Sequence, residues 1–155
     1  MSNAKPRVDN ALIGAAGVHF VVSELSLRGL IALPTIRNTA GVDVVVVNAD
    51  LSWHANLQVK TSLKKVTFWP IGKRYERVLG TNSFYVFVRF LRKESRFEAF
   101  LETADRVAED IRANIESSRN RGYSEWAFCW NLPKDEERYE RVRQQWLEFG
   151  PGSFA

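Results

Sequence analysis

Residues 42–47 read Val-Asp-Val-Val-Val-Val, and this run constrains the fold more than any other segment of the chain. β-Branched residues favour an extended backbone, and four consecutive valines suit a strand that is buried on both faces. Such a strand lies inside a sheet, so the chain needs neighbouring strands on both sides and further elements to cover them. Asp43, near the start of the run, is its only charge.

The other apolar patterns supply those neighbours. Alternation or apolar runs predict strands, and three- to four-residue spacing predicts helices. We expect strands over 30–36, 42–47, 53–62, 66–71, 84–91, 96–101 and 125–132, and helices over 10–28, 103–118 and 135–149. The order α-β-β-β-β-β-β-α-β-α is typical of one α/β or α+β domain with a mixed sheet.

Local signals set the ends and faces of the helices. Gly29 is placed to end the first helix in a left-handed turn, and Thr103 is placed to cap the second. The first helix has an apolar stripe that includes Leu12, Ala16, His19 and Val22, which predicts a buried His19. The predicted stripes of the other two helices are Val107, Ile111 and Ile115, and then Tyr139, Val142, Trp146 and Phe149.

Length and composition exclude several classes of protein. The 155 residues suit one domain over 10–155 after a polar tail over 1–9. An apolar run of about 18 residues, the length of a membrane span, is not evident, and the first ten residues lack a signal-peptide layout. We therefore expect a cytoplasmic protein. With one cysteine and two histidines, we expect neither an internal disulfide nor a structural zinc site.

The segment from Gly41 to Ser62 carries the most chemical information. Asp43 opens the valine strand, and fifteen residues later another strand reads Gln58-Val59-Lys60. Because side chains alternate along a strand, Gln58 and Lys60 project on one side, and they converge with Asp43 if the strands are neighbours. Carboxylate and amide oxygens suit Mg²⁺, and Lys60 beside them could orient a water and stabilise charge on a phosphate.

Taken singly, these residues have ordinary explanations. Asp43 could be a turn residue that bonds its own backbone at a strand entrance. Gln58 and Lys60 could form a solvated strand face. Only their combination indicates a site.

The combination resembles the PD-(D/E)XK nuclease superfamily. The resemblance covers about residues 10–101, from the helix ending at Gly29 through Gly-Val-Asp43 to Gln58-Val-Lys60-Thr-Ser62. This segment is most similar to the small bacterial and phage members of the superfamily and to its intron-homing and Holliday-junction-resolvase-like branches, in which Gln can replace the usual acid. Val42 occupies the position of the motif proline, the P of PD-(D/E)XK.

The resemblance implies a restriction-endonuclease-like core, α-β-β-β-α-β, with a central mixed sheet flanked by helices. It also implies hydrolysis of DNA phosphodiesters with Mg²⁺ or Mn²⁺. Carried over by position, Asp43 and Gln58 are the metal ligands and Lys60 is the catalytic lysine.

One departure concerns the first helix, where many members have a glutamate that joins the metal site. That position falls near Val18. Glu24 lies six residues further along, about 120° around the helix. Glu24 in a shifted register, His19 or a water could fill the place, or the site lacks this ligand. Taken alone, Glu24 is a surface helix residue.

The segment after the second motif strand is basic. It contains Lys64, Lys65, Lys73, Arg74 and Arg77, with aromatic residues between them, and Glu76 is its only acid. Such a segment suits a phosphate backbone or unstacked bases, and we expect it to contact DNA. Its ordinary interpretation is a solvated loop. Arg89, Arg92, Lys93 and Arg96 form a second basic cluster with a weaker claim.

Three functions therefore compete. The first is a metal-dependent DNA endonuclease, and the second is a nuclease-fold module that binds nucleic acid or protein without catalysis. The third is a structural or interaction protein that dimerises through its Trp-rich C-terminal half. The sequence leaves the oligomeric state open, a homodimer included. A dinucleotide enzyme is not expected, because Gly14 and Gly17 lie inside a helix and form no phosphate-binding loop.

Overall fold

The computed structural model describes residues 8–36, 41–75, 81–119 and 125–153. Most of the predicted tail and Arg77 lie outside these ranges. The helices are α1 (Asn10–Leu27), α2 (Ala104–Ser118) and α3 (Glu136–Leu147). The strands are β1 (Ile31–Pro34), β2 (Val44–Val47), β3 (His54–Ser62), β4 (Phe68–Pro70), β5 (Ser83–Leu91), β6 (Arg96–Thr103) and β7 (Cys129–Asn131). The predicted order of elements is confirmed.

Five strands form a mixed sheet in the order β1-β2-β3-β5-β6, flanked by helices. β3 and β5 are parallel, and the other neighbours are antiparallel. The valine strand β2 therefore lies inside the sheet between β1 and β3. β4 and β7 pair separately as a two-stranded sheet.

The first face of the sheet is covered by α1 and α3. Val44, Val46 and Leu57 on this face are completely buried and belong to one apolar cluster with Val21 and Leu25 of α1. Trp146 of α3 closes the same cluster near β6. This layer places the first half of α1 over the β1–β2–β3 part of the sheet, on the face opposite to Gln58 and Lys60, which alternate with Leu57 along β3.

The second face is aromatic and is covered by β4, β7 and α2. Phe87 on β5 stacks on Trp130 of β7 with ring centroids 3.9 Å apart. Trp69 of β4 donates its indole N–H to the carbonyl of Val88 at 3.1 Å. Val107 of α2 is fully buried in this cluster. These aromatic residues are structural anchors of the core, as expected for tryptophan.

The connection between β3 and β5 differs from the α-β-β-β-α-β order that the resemblance implies. In its described part, residues 63–75 and 81–82, this crossover contains β4 and no helix. The second helix comes two strands later, after β6. The architecture is thus a mixed α/β domain with a five-stranded sheet, and the described part of the connection between its parallel strands has no helix.

The cap predictions are confirmed. Gly29 has a φ of 81°, and the hydroxyl of Thr103 accepts a hydrogen bond from the amide of Arg106 at 3.2 Å. The predicted stripe of α3 packs inward, with Val142, Trp146 and Phe149 buried.

Two predictions are wrong. The buried face of α1 consists of Gly17, Val21 and Leu25, and His19 is exposed. Residues 125–128 form a 3₁₀ turn before β7 instead of strand. α1 also has 18 residues and a mean hydropathy of 1.3, so by length and composition alone it qualifies as a membrane span. A helix that packs on a sheet can pass the same test, and α1 buries Val21 and Leu25 against this one.

Candidate active site

Asp43 lies in the bend immediately before β2 and is fixed to β3 by two hydrogen bonds. Its amide donates to the carbonyl of Leu57 at 2.8 Å, and its carboxylate Oδ2 accepts from the amide of Val59 at 2.7 Å. Its carbonyl also accepts from the amide of Thr35 at 2.9 Å. Among the described residues, the half-buried carboxylate is therefore held against β3 by backbone alone, and none of them bonds its second oxygen, Oδ1.

Gln58 and Lys60 lie beside Asp43 on the neighbouring strand. Val44 pairs with Leu57, and the bonds of Asp43 to Leu57 and Val59 place it beside the β3 segment that contains Gln58. Gln58 and Lys60 are half-buried, and alternation places them on one side of β3. The structure therefore brings together the three motif residues, as the spacing predicts.

Burial lowers the pKa of Lys60 below its usual value, and the nearby charge of Asp43 partly opposes this effect. Among the described residues, none is within hydrogen-bond or ion-pair distance of the Lys60 ammonium. A half-buried amine with a shifted pKa and no bonded partner is typical of a functional lysine.

Tyr85 belongs to the same electrostatic neighbourhood, and the motif comparison did not include it. It pairs with Gln58 across the parallel strands. Burial raises the pKa of its phenol, and the charge of Asp43 raises it further. The sequence alone does not indicate that Tyr85 lies near the motif residues, because the β3–β5 register cannot be deduced from either strand.

A cleft of about 630 Å³ opens between the first half of α1 and the β1–β2 end of the sheet. Asp43 and Val59 line it from the sheet, and Val18 and His19 line it from α1. Val18 is the position at which the resemblance expects an acid. The helix therefore presents the expected position to the cleft, with an apolar side chain on it.

Glu24 does not join this group, and its assignment to the site is not supported by the structure. Its carboxylate pairs with Arg28 at 3.2 Å on the same helix. It lines a different cavity, together with Phe97 and Trp146 near α3. The six-residue offset from Val18 turns Glu24 away from the cleft, whereas the exposed His19 lies on it.

Gly17 sets the close approach of α1 to β3, a role that the sequence reading missed. A Cβ at this position would lie 1.8 Å from the Thr61 hydroxyl oxygen. The hydroxyl itself is buried without a hydrogen-bond partner among the described residues. A glycine inside an otherwise helical segment is the signal that could have indicated this packing.

The structure describes four of the five basic residues that the sequence predicts to contact DNA. Lys64 and Lys65 are exposed directly after β3, and Lys73 and Arg74 are exposed further along the connection. Arg77 lies outside the described residues. The aromatic residues between them face inward: Trp69 is buried, and Tyr75 packs near Phe128 with ring centroids 6.1 Å apart.

The donor set fits a hydrated magnesium ion. Asp43 offers one carboxylate oxygen and Gln58 one amide oxygen, and Mg²⁺ commonly takes one or two protein oxygens and keeps several waters. The described residues contain no group of three or more His, Cys, Asp or Glu that could hold a metal. A soft or tightly held transition metal does not fit this set.

Comparison of the chain with protein-family models, with curated proteins and with solved structures gives no match.

Proposed function

We propose that the chain is a cytoplasmic, metal-dependent deoxyribonuclease of the PD-(D/E)XK type, with a restriction-endonuclease-like core that departs from the family order by having no helix in the described part of the β3–β5 connection. The observation that carries the proposal is the group formed by Asp43, Gln58 and Lys60 on two neighbouring strands. Lys60 is half-buried, has a lowered pKa and lacks a bonded partner among the described residues. The residue types suit one reaction, the attack of water on a phosphodiester.

Each residue has a distinct role in this proposal. Asp43 Oδ1 and the Gln58 amide oxygen would hold Mg²⁺ or Mn²⁺, while the amide of Val59 keeps the Asp43 carboxylate in place. An ion held there would supply Lewis-acid stabilisation of the phosphate charge. The Lys60 ammonium donates hydrogen bonds that orient the attacking water and offset the charge developing on phosphorus oxygens.

The reaction is a hydrolysis. The water oxygen forms a new bond to phosphorus, one P–O ester bond breaks, and the leaving oxygen takes up a proton. The products are a phosphate monoester and a free hydroxyl. Because Lys60 contributes charge stabilisation and orientation, its loss should reduce the rate by 100-fold or more, on the scale of about 10² to 10³ for one preorganised donor.

The test is a cleavage assay on plasmid, single-stranded and branched DNA, with Mg²⁺, with Mn²⁺ and with chelator. We expect metal-dependent cutting by the native chain and its loss in Lys60→Ala. Lys134→Ala is the control, because Lys134 is an exposed lysine that lies outside the candidate site, just before α3. Equal cutting by the native chain and Lys60→Ala would refute the assigned mechanism.

A second function, nucleic-acid binding without catalysis, is favoured by one observation. Val18 lines the cleft beside Asp43 at the place where an acid is expected, so the site holds one carboxylate instead of two or three. Under this function DNA binding depends on salt and is indifferent to Mg²⁺.

Val18→Glu separates the two functions. If the native chain cuts DNA weakly for want of this ligand, the added carboxylate should strengthen Mg²⁺ binding and raise the cutting rate at low Mg²⁺. Calorimetric titration with Mg²⁺ measures the change in metal affinity independently of DNA cleavage. A folded Val18→Glu chain that neither binds Mg²⁺ nor cuts DNA would leave the binding module as the better proposal.

A further inference from the structure

The lysines and arginines in the described part of the chain include some that pair with acids and some that do not. On the helices, Arg28, Arg106, Arg119, Arg138, Arg141 and Arg143 each lie within 4.0 Å of a carboxylate. In contrast, Lys64, Lys65, Arg92 and Lys93 are exposed, and no described acid pairs with any of them. Unpaired exposed cations are therefore concentrated away from the helices.

The sheet topology brings these four cations to one end of the molecule. β3 and β5 run parallel, and Ser62 at the end of β3 pairs with Arg89 near the end of β5. Lys64 and Lys65 follow β3, while Arg92 and Lys93 follow β5. The Arg89 guanidinium donates to the carbonyl of Val66 at 2.9 Å and ties the two segments together.

The acids at this end are already neutralised. Glu98 bonds Arg89 at 2.7 Å and Arg96 at 2.9 Å, and Glu94 bonds Arg96 at 2.6 Å. Two glutamates and two arginines thus form a closed network at the base of the β5–β6 turn. Four positive charges remain over, and we call Lys64, Lys65, Arg92 and Lys93 the basic rim.

Lys73 and Arg74 belong elsewhere, although they are close to Lys65 in sequence. After Val66 the chain turns under β5, where Trp69 bonds Val88. It then reaches the 3₁₀ turn, where the amides of Ile71 and Gly72 donate to the carbonyl of Phe128 at 2.9 and 3.2 Å. The structure therefore divides the basic segment of the sequence into two surfaces.

The basic rim adjoins the candidate site along β3. Lys60 is two residues before the end of β3, a separation of about 7 Å at the rise of a strand. The aromatic residues near the rim are packed against the protein, with Phe90 against Phe97 at 4.8 Å between ring centroids. The rim therefore offers charge to phosphates and no described aromatic platform to bases.

We infer that the basic rim binds the phosphate backbone of DNA next to Asp43 and Lys60, and that Arg92 and Lys93 contribute as much as Lys64 and Lys65. This inference rests on the proposed function for its choice of DNA. It assigns the contact to two turns that are distant in sequence, and it removes Lys73 and Arg74 from the contact. Binding through four phosphates is electrostatic and independent of base sequence.

The test is fluorescence anisotropy with a labelled DNA duplex in the presence of chelator, over a series of salt concentrations. Four phosphate contacts predict a slope of log K against log salt of about −3.6. The double substitution Arg92→Ala/Lys93→Ala should reduce the size of the slope by about 2, and Lys64→Ala/Lys65→Ala should do the same. Lys73→Ala/Arg74→Ala and Lys134→Ala are the matched controls and should leave the slope unchanged.

Two outcomes overturn the inference: no DNA binding by the native chain, or a slope that depends on Lys73 and Arg74 and not on Arg92 and Lys93. Because chelator prevents cutting, the result is separable from the nuclease proposal. A chain that binds through the rim and never cuts supports the inference against the proposed enzyme. A chain that cuts DNA but whose binding ignores the rim substitutions supports the enzyme against the inference.

Discussion

The two halves of the five-stranded sheet treat buried charge in opposite ways. In the β5–β6 half, Glu102 is 2% exposed and its carboxylate bonds Arg141 of α3 at 2.7 Å. Arg89, also buried, bonds Glu98 at 2.7 Å. In the β2–β3 half, Asp43 is bonded by a backbone amide, and Lys60 has no bonded partner among the described residues.

The difference distinguishes charged side chains that stabilise the fold through pairing from charged side chains that can still bind a ligand. A buried carboxylate needs hydrogen bonds or an opposite charge, because leaving it alone costs several kcal/mol. Glu102 and Arg89 satisfy this need within the protein. Lys60 retains its desolvation cost, which lowers its pKa, and no described residue bonds its ammonium group.

The largest expected effect comes from breaking the pair in the β5–β6 half. Arg141→Ala leaves the Glu102 carboxylate buried with one remaining partner among the described residues, the amide of Thr103 at 3.1 Å. We expect the free energy of unfolding to fall by roughly 3 kcal/mol, measured by urea denaturation. Arg143→Ala is the control on the same helix, because its pair with Glu140 is about half exposed on both sides and contributes under about 1 kcal/mol. Equal losses in the two variants would remove the distinction between the halves.

A smaller effect is expected where α1 meets the β2–β3 half. Gly17→Ala places a methyl group 1.8 Å from the Thr61 hydroxyl oxygen, so α1 has to move away from β3. We expect a loss of roughly 2 kcal/mol on urea denaturation, the range of an overpacked contact. The displacement should also weaken any Mg²⁺ binding, because the cleft has α1 as one wall.

Gly14→Ala is the matched control, since a Cβ there meets no atom within 4 Å. Alanine is the better helix former by up to about 1 kcal/mol, so this variant should gain stability. A Gly17→Ala chain as stable as Gly14→Ala would show that α1 does not need its close contact with Thr61.

The smallest effect concerns the unpaired lysine. The folded-state pKa of Lys60 is below the 10.5 of the unfolded chain, so folding disfavours its charged form. That cost is full below the folded-state pKa and fades as pH rises from there towards 10.5. Lys60→Met should therefore be slightly more stable than the native chain at pH 7, within about 1 kcal/mol.

The pH dependence distinguishes this effect from a general gain in apolar contact. The advantage of Lys60→Met should shrink as pH rises towards 10.5, in urea titrations at several pH values. Lys134→Met, at an exposed lysine, should show no such trend. An advantage that persists unchanged at high pH would contradict the assignment of the cost to a buried charge.

Much of the fold could be predicted because the relevant signals are local. The valine run, the Gly29 turn and the Thr103 cap act within a few residues, and all three behave as their chemistry predicts. The face of α1 could not be predicted, because this helix is apolar on nearly all sides and periodicity then selects no face. Its orientation follows from Gly17 meeting Thr61, a contact between residues distant in sequence.

The residues of the candidate site likewise include some that the sequence could predict and some that it could not. The spacing of Asp43, Gln58 and Lys60 was enough, because β2 and β3 are consecutive and antiparallel. Tyr85 and the basic rim depend on the parallel register of β3 and β5, which nothing in either strand specifies. Glu24 was misplaced because a six-residue step on a helix changes its direction by about 120°.

The length of the connection between β3 and β5 also bears on the order of folding. β1, β2 and β3 are consecutive neighbours, so Asp43, Gln58 and Lys60 can meet with little loop-closure entropy. The parallel pair instead requires a connection of roughly twenty residues to close before any ladder bond forms, and contacts of that range slow folding. We expect the strands with the motif to assemble early and the β3–β5 ladder to limit the refolding rate, so the basic rim would be the last part of the proposed surface to mature.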